Sequence, residues 1–191
     1  LSIARHFAQK NAASLSNYID AGYDVIYTCT SCGLCLLHDY PGILEIPQAK
    51  KIAENCYDLH EYIVGLIDDG YIEPQFGAVK RKIAYHIPCH LRALGIGYPA
   101  VKIMNMIPGL DYQIFDDTCC GLNGSYGFKK TNETTAVQLG KRAVSLIKKT
   151  GAQNIMADCG SCRMQLGGLS GMDALDPAEI ICESLGITDE K

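Results

Sequence analysis

Apolar residues recur at helical spacing through the first twenty positions. Ile3, Phe7, Ala8, Leu15, Tyr18 and Ile19 fall near one face, so residues 1–20 read as an amphipathic helix. Gly22 follows as its stop signal. Residues 23–27 form a short apolar run, Asp24-Val25-Ile26-Tyr27 at its heart, that predicts a strand leading at once into Cys29. Helical patterns return over 48–55 and 59–66. Asp68-Asp69-Gly70, with Pro74 and Gly77 beyond, breaks the periodicity and marks a lobe boundary.

Past that break the pattern becomes strand, cysteine, helix. Residues 82–86 read as a buried strand that delivers Pro88-Cys89-His90. Residues 99–106 are helical and stop at Pro108-Gly109. Residues 112–115 predict a second strand, delivering Cys119-Cys120, and 121–127 a glycine-rich loop. Residues 133–149 predict a long helix, capped by Thr131 or Asn132, with lysines in its last turn that suit the helix dipole. Residues 154–157 predict a third strand, delivering Cys159, and 178–185 a final helix. The alternation implies an α/β fold of two similar lobes, with mostly parallel sheets flanked by helices. Ligands in such sheets gather beyond the carboxyl ends of the strands, where all three cysteine groups fall.

The order helix, glycine, strand, Cys-x-x-Cys occurs twice, at 17–32 and at 145–162, and Leu59-His-Glu-Tyr-Ile parallels Pro177-Ala-Glu-Ile-Ile. Residues 1–75 are therefore expected to be the C-terminal part of a first repeat, cut short, and 76–191 a complete second repeat. A Cys-Cys-Gly run is expected upstream of Leu1.

Of the 191 residues, 48% are hydrophobic and 20% charged, enough apolar content for a real core. The net charge of −4 leaves no basic excess to hold a phosphate backbone, so nucleic acid is not an expected partner. No run reaches the roughly eighteen apolar residues that cross a bilayer. Residues 1–20 lack the continuous apolar segment of a signal peptide. The expected location is cytoplasmic, or peripheral on the inner membrane through partner subunits.

Ten cysteines change the picture. Five are grouped as Cys89, Cys119-Cys120 and Cys159-Gly-Ser-Cys162. Neighbouring cysteines bridge each other poorly, and clustered Cys-x-x-Cys units in a long helix-rich chain suit metal better than disulfides. Thiolates are the ligands that zinc and iron–sulfur centres select. Zinc is satisfied by four tetrahedral ligands, whereas five thiolates, two adjacent, suit several iron atoms. Cys29, Cys32 and Cys35 start a ferredoxin-like run but lack its fourth cysteine, Asp39 standing there instead. Cys29 and Cys32 read as half of a first site. Cys35, one helical step beyond Cys32, faces that site or packs in the core. Cys56 and Cys182 read as packing residues. Gly121, Gly124 and Gly127 carry no phosphate-loop spacing, and their expected task is close approach of backbone amides to sulfur. His86, His90 and Arg92 flank the first ligand, and His90 is a candidate for tuning the charge there. Lys129 and Lys130 read as a solvated face or a docking patch. There is no nucleophilic triad, acidic dyad or nicotinamide fingerprint.

Residues 85–95 (Tyr-His-Ile-Pro-Cys-His-Leu-Arg-Ala-Leu-Gly), 119–130 (Cys-Cys-Gly-Leu-Asn-Gly-Ser-Tyr-Gly-Phe-Lys-Lys) and 158–162 (Asp-Cys-Gly-Ser-Cys) resemble the cysteine-rich, or CCG, domain family. The resemblance is to the C-subunit of anaerobic glycerol-3-phosphate dehydrogenase and to the B-subunit of heterodisulfide reductase. It implies a 4Fe–4S centre, noncubane in heterodisulfide reductases, held by Cys89, Cys119, Cys120, Cys159 and Cys162. It also implies a redox subunit rather than a complete enzyme, working with flavin-containing or ferredoxin-like subunits. Electrons would run towards a quinone, or would reduce a disulfide substrate. The competing expectation is a zinc-stabilised interaction module with no redox role.

Overall fold

A computed structural model describes residues 1–187; residues 188–191, the end of the expected second repeat, lie outside the described residues. The first half holds α1 (Ser2–Asp20), β1 (Val25–Tyr27), α2 (Thr30–Leu34), a π-helical turn (Cys35–Asp39), α3 (Tyr40–Gly42), α4 (Ala49–Ala53), β2 (Cys56–Asp58) and α5 (Leu59–Asp68). The second holds β3 (Lys82–His86), α6 (Cys89–Leu94), α7 (Pro99–Met104), β4 (Asp111–Phe115), a 3-10 turn (Lys130–Asn132) and α8 (Glu133–Lys148). It continues with β5 (Asn154–Met156), α9 (Gly160–Ser170), β6 (Ala174–Leu175) and α10 (Pro177–Ser184). Among the described residues no helix is long and apolar enough to cross a membrane.

The fold is α/β, with two parallel sheets flanked by helices. The larger has the strand order β4-β3-β5-β6, every pairing parallel. Parallel sheets are covered on both faces, and β3 shows it: Ile83, Ala84, Tyr85 and His86 are all buried. Successive side chains alternate between faces. Ala84 joins Phe115, Ile155 and the α8 residues Ala143, Val144 and Ile147 on one side. Ile83 and Tyr85 join Leu91, Ala100, Met104 and Ile180 on the other. Helices α8 and α9 therefore cover one face, and α6, α7 and α10 the other.

In the first half β1 and β2 pair in parallel, Val25 opposite Cys56 and Tyr27 opposite Asp58. Tyr27, Tyr40, Ile46 and Ile52 build its core. Helix α1 packs through part of the expected face, Ala8, Leu15 and Ile19, but is rotated so that Ala12 and Ser16 are buried in place of Ile3, Phe7 and Tyr18. Its buried positions are Ala8, Ala12 and Ser16, one per turn, flanked by Leu15 and Ile19. Ile3, Phe7 and Tyr18 are 74%, 58% and 60% exposed. Small side chains let the helix approach its neighbours closely, and the wider apolar residues fall outside that contact.

The helix expected at 48–55 is confined to Ala49–Ala53, because the chain then enters β2. Asn132 takes the cap position of α8, but its amide donates to the Tyr126 carbonyl at 3.0 Å rather than capping the helix through its side-chain oxygen. One unit, strand, cysteine, helix, strand, aspartate, helix, occurs twice among the described residues. Cys29 after β1 and Cys159 after β5 both have extended backbone and sit at the cap positions of α2 and α9. Asp58, the last residue of β2, accepts from the His60 and Glu61 amides at 2.9 and 3.3 Å, and so caps α5. Asp176 after β6 accepts from the Ala178 amide at 3.0 Å and, with Glu179, closes a capping box on α10.

Candidate metal centre

Three neighbouring parallel strands end on cysteine. From β3 the chain runs extended through Pro88 and starts α6 at Cys89. From β4 it enters the loop that carries Cys119 and Cys120, and from β5 it passes Asp158 to Cys159, at the cap position of α9, with Cys162 one turn on. Cys89, Cys120, Cys159 and Cys162 line one pocket. Its wall includes Leu122, and Phe115 and Leu166 stand in the core cluster behind it.

Cys162 Sγ donates to Cys120 Sγ at 3.2 Å. Cys120 is also hydrogen-bonded by Cys119, and Cys159 by Cys162 and by Cys29. The sulfurs thus run in the order 119, 120, 162, 159, 29. The Cys119 and Cys162 thiols hold Cys120 well below the usual thiol range. Cys162, then Cys29, does the same for Cys159. The intervening Cys162 is pushed far up by the thiolates on either side. Cys119 and Cys29 are pushed up by the thiolates they serve and by burial. Cys89 stands beside this string, raised by burial and by the charges of Cys120 and Cys159. Amides add to the field: Gly121 N donates to Cys119 Sγ at 3.3 Å, and the Leu122 amide serves Cys120. Positive helix ends and donors of this kind are what stabilise thiolates.

Four of the five expected ligands, Cys89, Cys120, Cys159 and Cys162, thus share a pocket. Cys119 touches Cys120 but lines a separate cavity of about 160 Å3 with Thr118, Leu139 and Arg142. Of the cysteines in the first half, Cys29 lies against Cys159, Cys32 is exposed, and Cys35 packs at the edge of the first-half core. Cys56 is buried in that core and Cys182 is half-buried on α10. Gly124, at φ +62°, lines the pocket, as does His90. Gly121, at φ +95°, makes its close approach to α8, where a Cβ would overlap the Ala136 carbonyl. Arg92 donates to the Asp116 carbonyl.

Other residues complete the site, His86 from beside the first ligand as the sequence places it, the rest without a sequence signal. His86 is buried, its Nδ1 is 2.9 Å from Thr118 Oγ1, and the ring lies within 4.8 Å of the Cys120 and Cys162 sulfurs. Burial, followed by Arg92, lowers its pKa against the opposing pull of Cys120. Asp158, next to Cys159, accepts from Tyr85 Oη at 2.7 Å and lies 3.6 Å from His60 Nδ1. His60 in turn is 3.4 Å from Asp58 Oδ1, so the network joins the two halves. Ser31 of α2 reaches His90 and Cys159. These contacts link residues far apart in the chain and carry no local pattern.

The donor set is soft: cysteine sulfurs, with the imidazoles of His86 and His90 beside them, the ligand types of zinc and of iron–sulfur centres. Among the described residues no carboxylate lines the pocket to suit a hard cation. By donor chemistry the residues fit either group. The void between the sulfurs, about 10 Å3, is no larger than one water sphere, so a multi-iron core would be seated by moving the thiols apart.

The family model for the cysteine-rich (CCG) domain matches residues 83–167. The chain is similar to the C-subunit of anaerobic glycerol-3-phosphate dehydrogenase of Escherichia coli, 28% identical over 183 residues, 95% of this chain and 46% of that protein. It is also similar to the B-subunit of fumarate reductase (CoM/CoB) of Methanothermobacter marburgensis, 31% identical over 87% of this chain and 31% of the other. Lactate utilization protein A of Bacillus pumilus is 30% identical over 85% of this chain and 70% of its own length. The chain spans about half the length of the glycerol-3-phosphate dehydrogenase relative, and less of the fumarate reductase relative.

Proposed function

This chain belongs to the cysteine-rich (CCG) domain family, and from that premise we propose that it is an electron-transfer part of an anaerobic oxidoreductase, holding a 4Fe–4S centre on Cys89, Cys119, Cys120, Cys159 and Cys162. The observation that carries the reading is the pocket lined by Cys89, Cys120, Cys159 and Cys162 at the ends of three adjacent parallel strands, with Cys119 bonded to its edge. Such a centre, when bound, supplies reversible one-electron transfer.

The chain's own residues prepare for it. Cys120 and Cys159 are held as thiolates, the form that ligates metal. The amides of Gly121 and Leu122 bring donors to sulfur, which favours the more negative, reduced state. Burial of Cys120, Cys159 and Cys162 against Leu122 and Leu166 keeps water from that side. The rim, with Ser31, His90 and Asn123, is polar.

The names of the relatives support a place among the subunits of a larger enzyme. The electron path we propose runs from a flavin-containing partner towards a quinone, with any membrane contact made through a partner protein. Reduction of a disulfide is the other route consistent with the family. Zinc is the second reading, and one observation favours it: His86, Cys120 and Cys162 offer ligand atoms all within 4.8 Å of one another, close enough for a single ion.

Metal and acid-labile sulfide analysis of anaerobically purified protein, followed by EPR of the dithionite-reduced sample, tests the reading. Iron, sulfide and a paramagnetic reduced state are expected. A colourless protein with one zinc per chain, unchanged by anaerobic reconstitution with iron and sulfide, would reject it.

A further inference from the structure

The two Cys-x-x-Cys runs meet head to head. The Thr30 amide points at the Asp158 carbonyl, 3.5 Å away, and Cys29 hydrogen-bonds Cys159. Between these runs stands Ser31, the second interior residue of Cys29-Thr30-Ser31-Cys32. Its Oγ is 2.7 Å from His90 Nδ1 and 3.5 Å from Cys159 Sγ, which is within hydrogen-bonding range for sulfur. Ser31 and its repeat counterpart Ser161 line the same pocket.

We propose that Ser31, supplied by the first half of the chain, is a positioning residue for the metal centre of the second half: its hydroxyl donates to Cys159 Sγ and is aimed there by His90. The inference rests on the functional reading above, in which Cys159 is a ligand. A hydroxyl has one hydrogen, so a bond to sulfur leaves its oxygen to accept from His90 Nδ1–H. The ring sits one residue after Cys89, on α6, and so ties the orientation of the Ser31 hydroxyl to the helix that carries another ligand. The contact makes the second-half centre depend on a residue 128 positions from Cys159 in sequence. A donor to a ligand sulfur stabilises the reduced state, in which the sulfur carries more negative charge, and raises the potential.

The test uses the full chain, reconstituted anaerobically with iron and sulfide, with the midpoint potential and the EPR signature as readouts. S31A is expected to lower the potential by a factor of about ten in the reduced-to-oxidised ratio, 59 mV for a one-electron couple. S31T keeps the hydroxyl and is expected to stay near the wild-type value. Because His90 acts through Ser31, H90A is expected to shift the wild type but to add little to S31A. Loss of the centre in S31A with retention in S31T also supports the assignment, since the hydroxyl distinguishes them. Wild-type potential and spectrum in S31A, or loss of the centre in both Ser31 variants, would overturn it. Absence of any iron–sulfur centre in the wild type is a different result, and removes the functional reading itself.

Discussion

Tyr85 Oη donates to Asp158 Oδ2 at 2.7 Å, with both side chains out of solvent. The bond ties the centre of β3 to the residue that precedes Cys159. On its other oxygen Asp158 meets His60 from the first half at 3.6 Å, so a single carboxyl links the sheet, the cysteine turn and the first half of the chain.

That carboxyl gives a pH dependence of known sign. Burial raises its pKa from 3.8 to about 6, against the lowering effects of Tyr85 and His60. A group whose folded pKa lies above its unfolded value contributes stability below the unfolded pKa and loses it as pH rises through the folded one. Relative to Asp158→Asn, the wild type should therefore lose about 2 kcal/mol between pH 4 and pH 6 and a few tenths more by pH 7, out of about 3 kcal/mol for the whole shift. Urea unfolding of both proteins across pH 4–7 measures it. A difference that stays constant or grows in favour of the wild type would show that Asp158 enters the fold ionised.

Gly121 and Gly124 both have positive φ but different surroundings. A Cβ at Gly121 would overlap the Ala136 carbonyl of α8, whereas at Gly124 it meets open space. Gly124→Ala should cost only the backbone term, about 1 kcal/mol. Gly121→Ala adds a steric clash with backbone and should cost about 3 kcal/mol or more. It should also lower metal content, because Gly121 directly follows Cys120. Thermal melting with metal analysis separates the two variants, and equal costs would contradict the packing.

How much of this is legible in the sequence depends on length and locality. Strand β3 and helix α8 are long enough to show their pattern, and both lie where the residues predict. Helix α9 is not legible: Gly160, Gly167 and Gly168 interrupt it, and only Cys162 and Leu166 are buried along it. Strands β2 and β6, of 3 and 2 residues, are too short to alternate. The cysteines declare themselves by type and spacing, and the parallel order puts three groups at one sheet end. The division of labour among them does not show in the sequence. Cys119 and Cys120 are neighbours in the chain, yet Cys120 lines the shared pocket and Cys119 the cavity beside it. Ser31, Thr118 and His60 enter through contacts between distant segments, which leave no mark in local spacing.

Substitution should sort the thiols by position. Cys120→Ser and Cys162→Ser each remove one sulfur of a pair 3.2 Å apart, and each is expected to abolish most iron incorporation. Cys56→Ser puts a hydroxyl into the first-half core, where burial already pushes the thiol up to about 11, and should cost about 1 kcal/mol with metal content intact. Cys182→Ser on α10 should leave both unchanged. Iron and sulfide assays on anaerobically reconstituted variants read this directly. Full incorporation in Cys162→Ser would remove it from the ligand set.

The rotation of α1 towards its small residues gives the last test, since it separates packing from apolar character. Ala12 is 0% exposed and belongs to the small-residue stripe, whereas Phe7 is 58% exposed. If close approach sets the orientation, enlarging the stripe is harmful although it adds apolar surface. Ala12→Leu should then destabilise the chain by about 1–3 kcal/mol, the usual result of overpacking. Phe7→Ser should stay within about 0.5 kcal/mol of the wild type. Were the helix docked through the face expected from the sequence, the order would reverse, because Phe7 would lose core contacts and Ala12→Leu would project into water. Urea denaturation of the two variants decides between these packings, and the sign of the difference is enough.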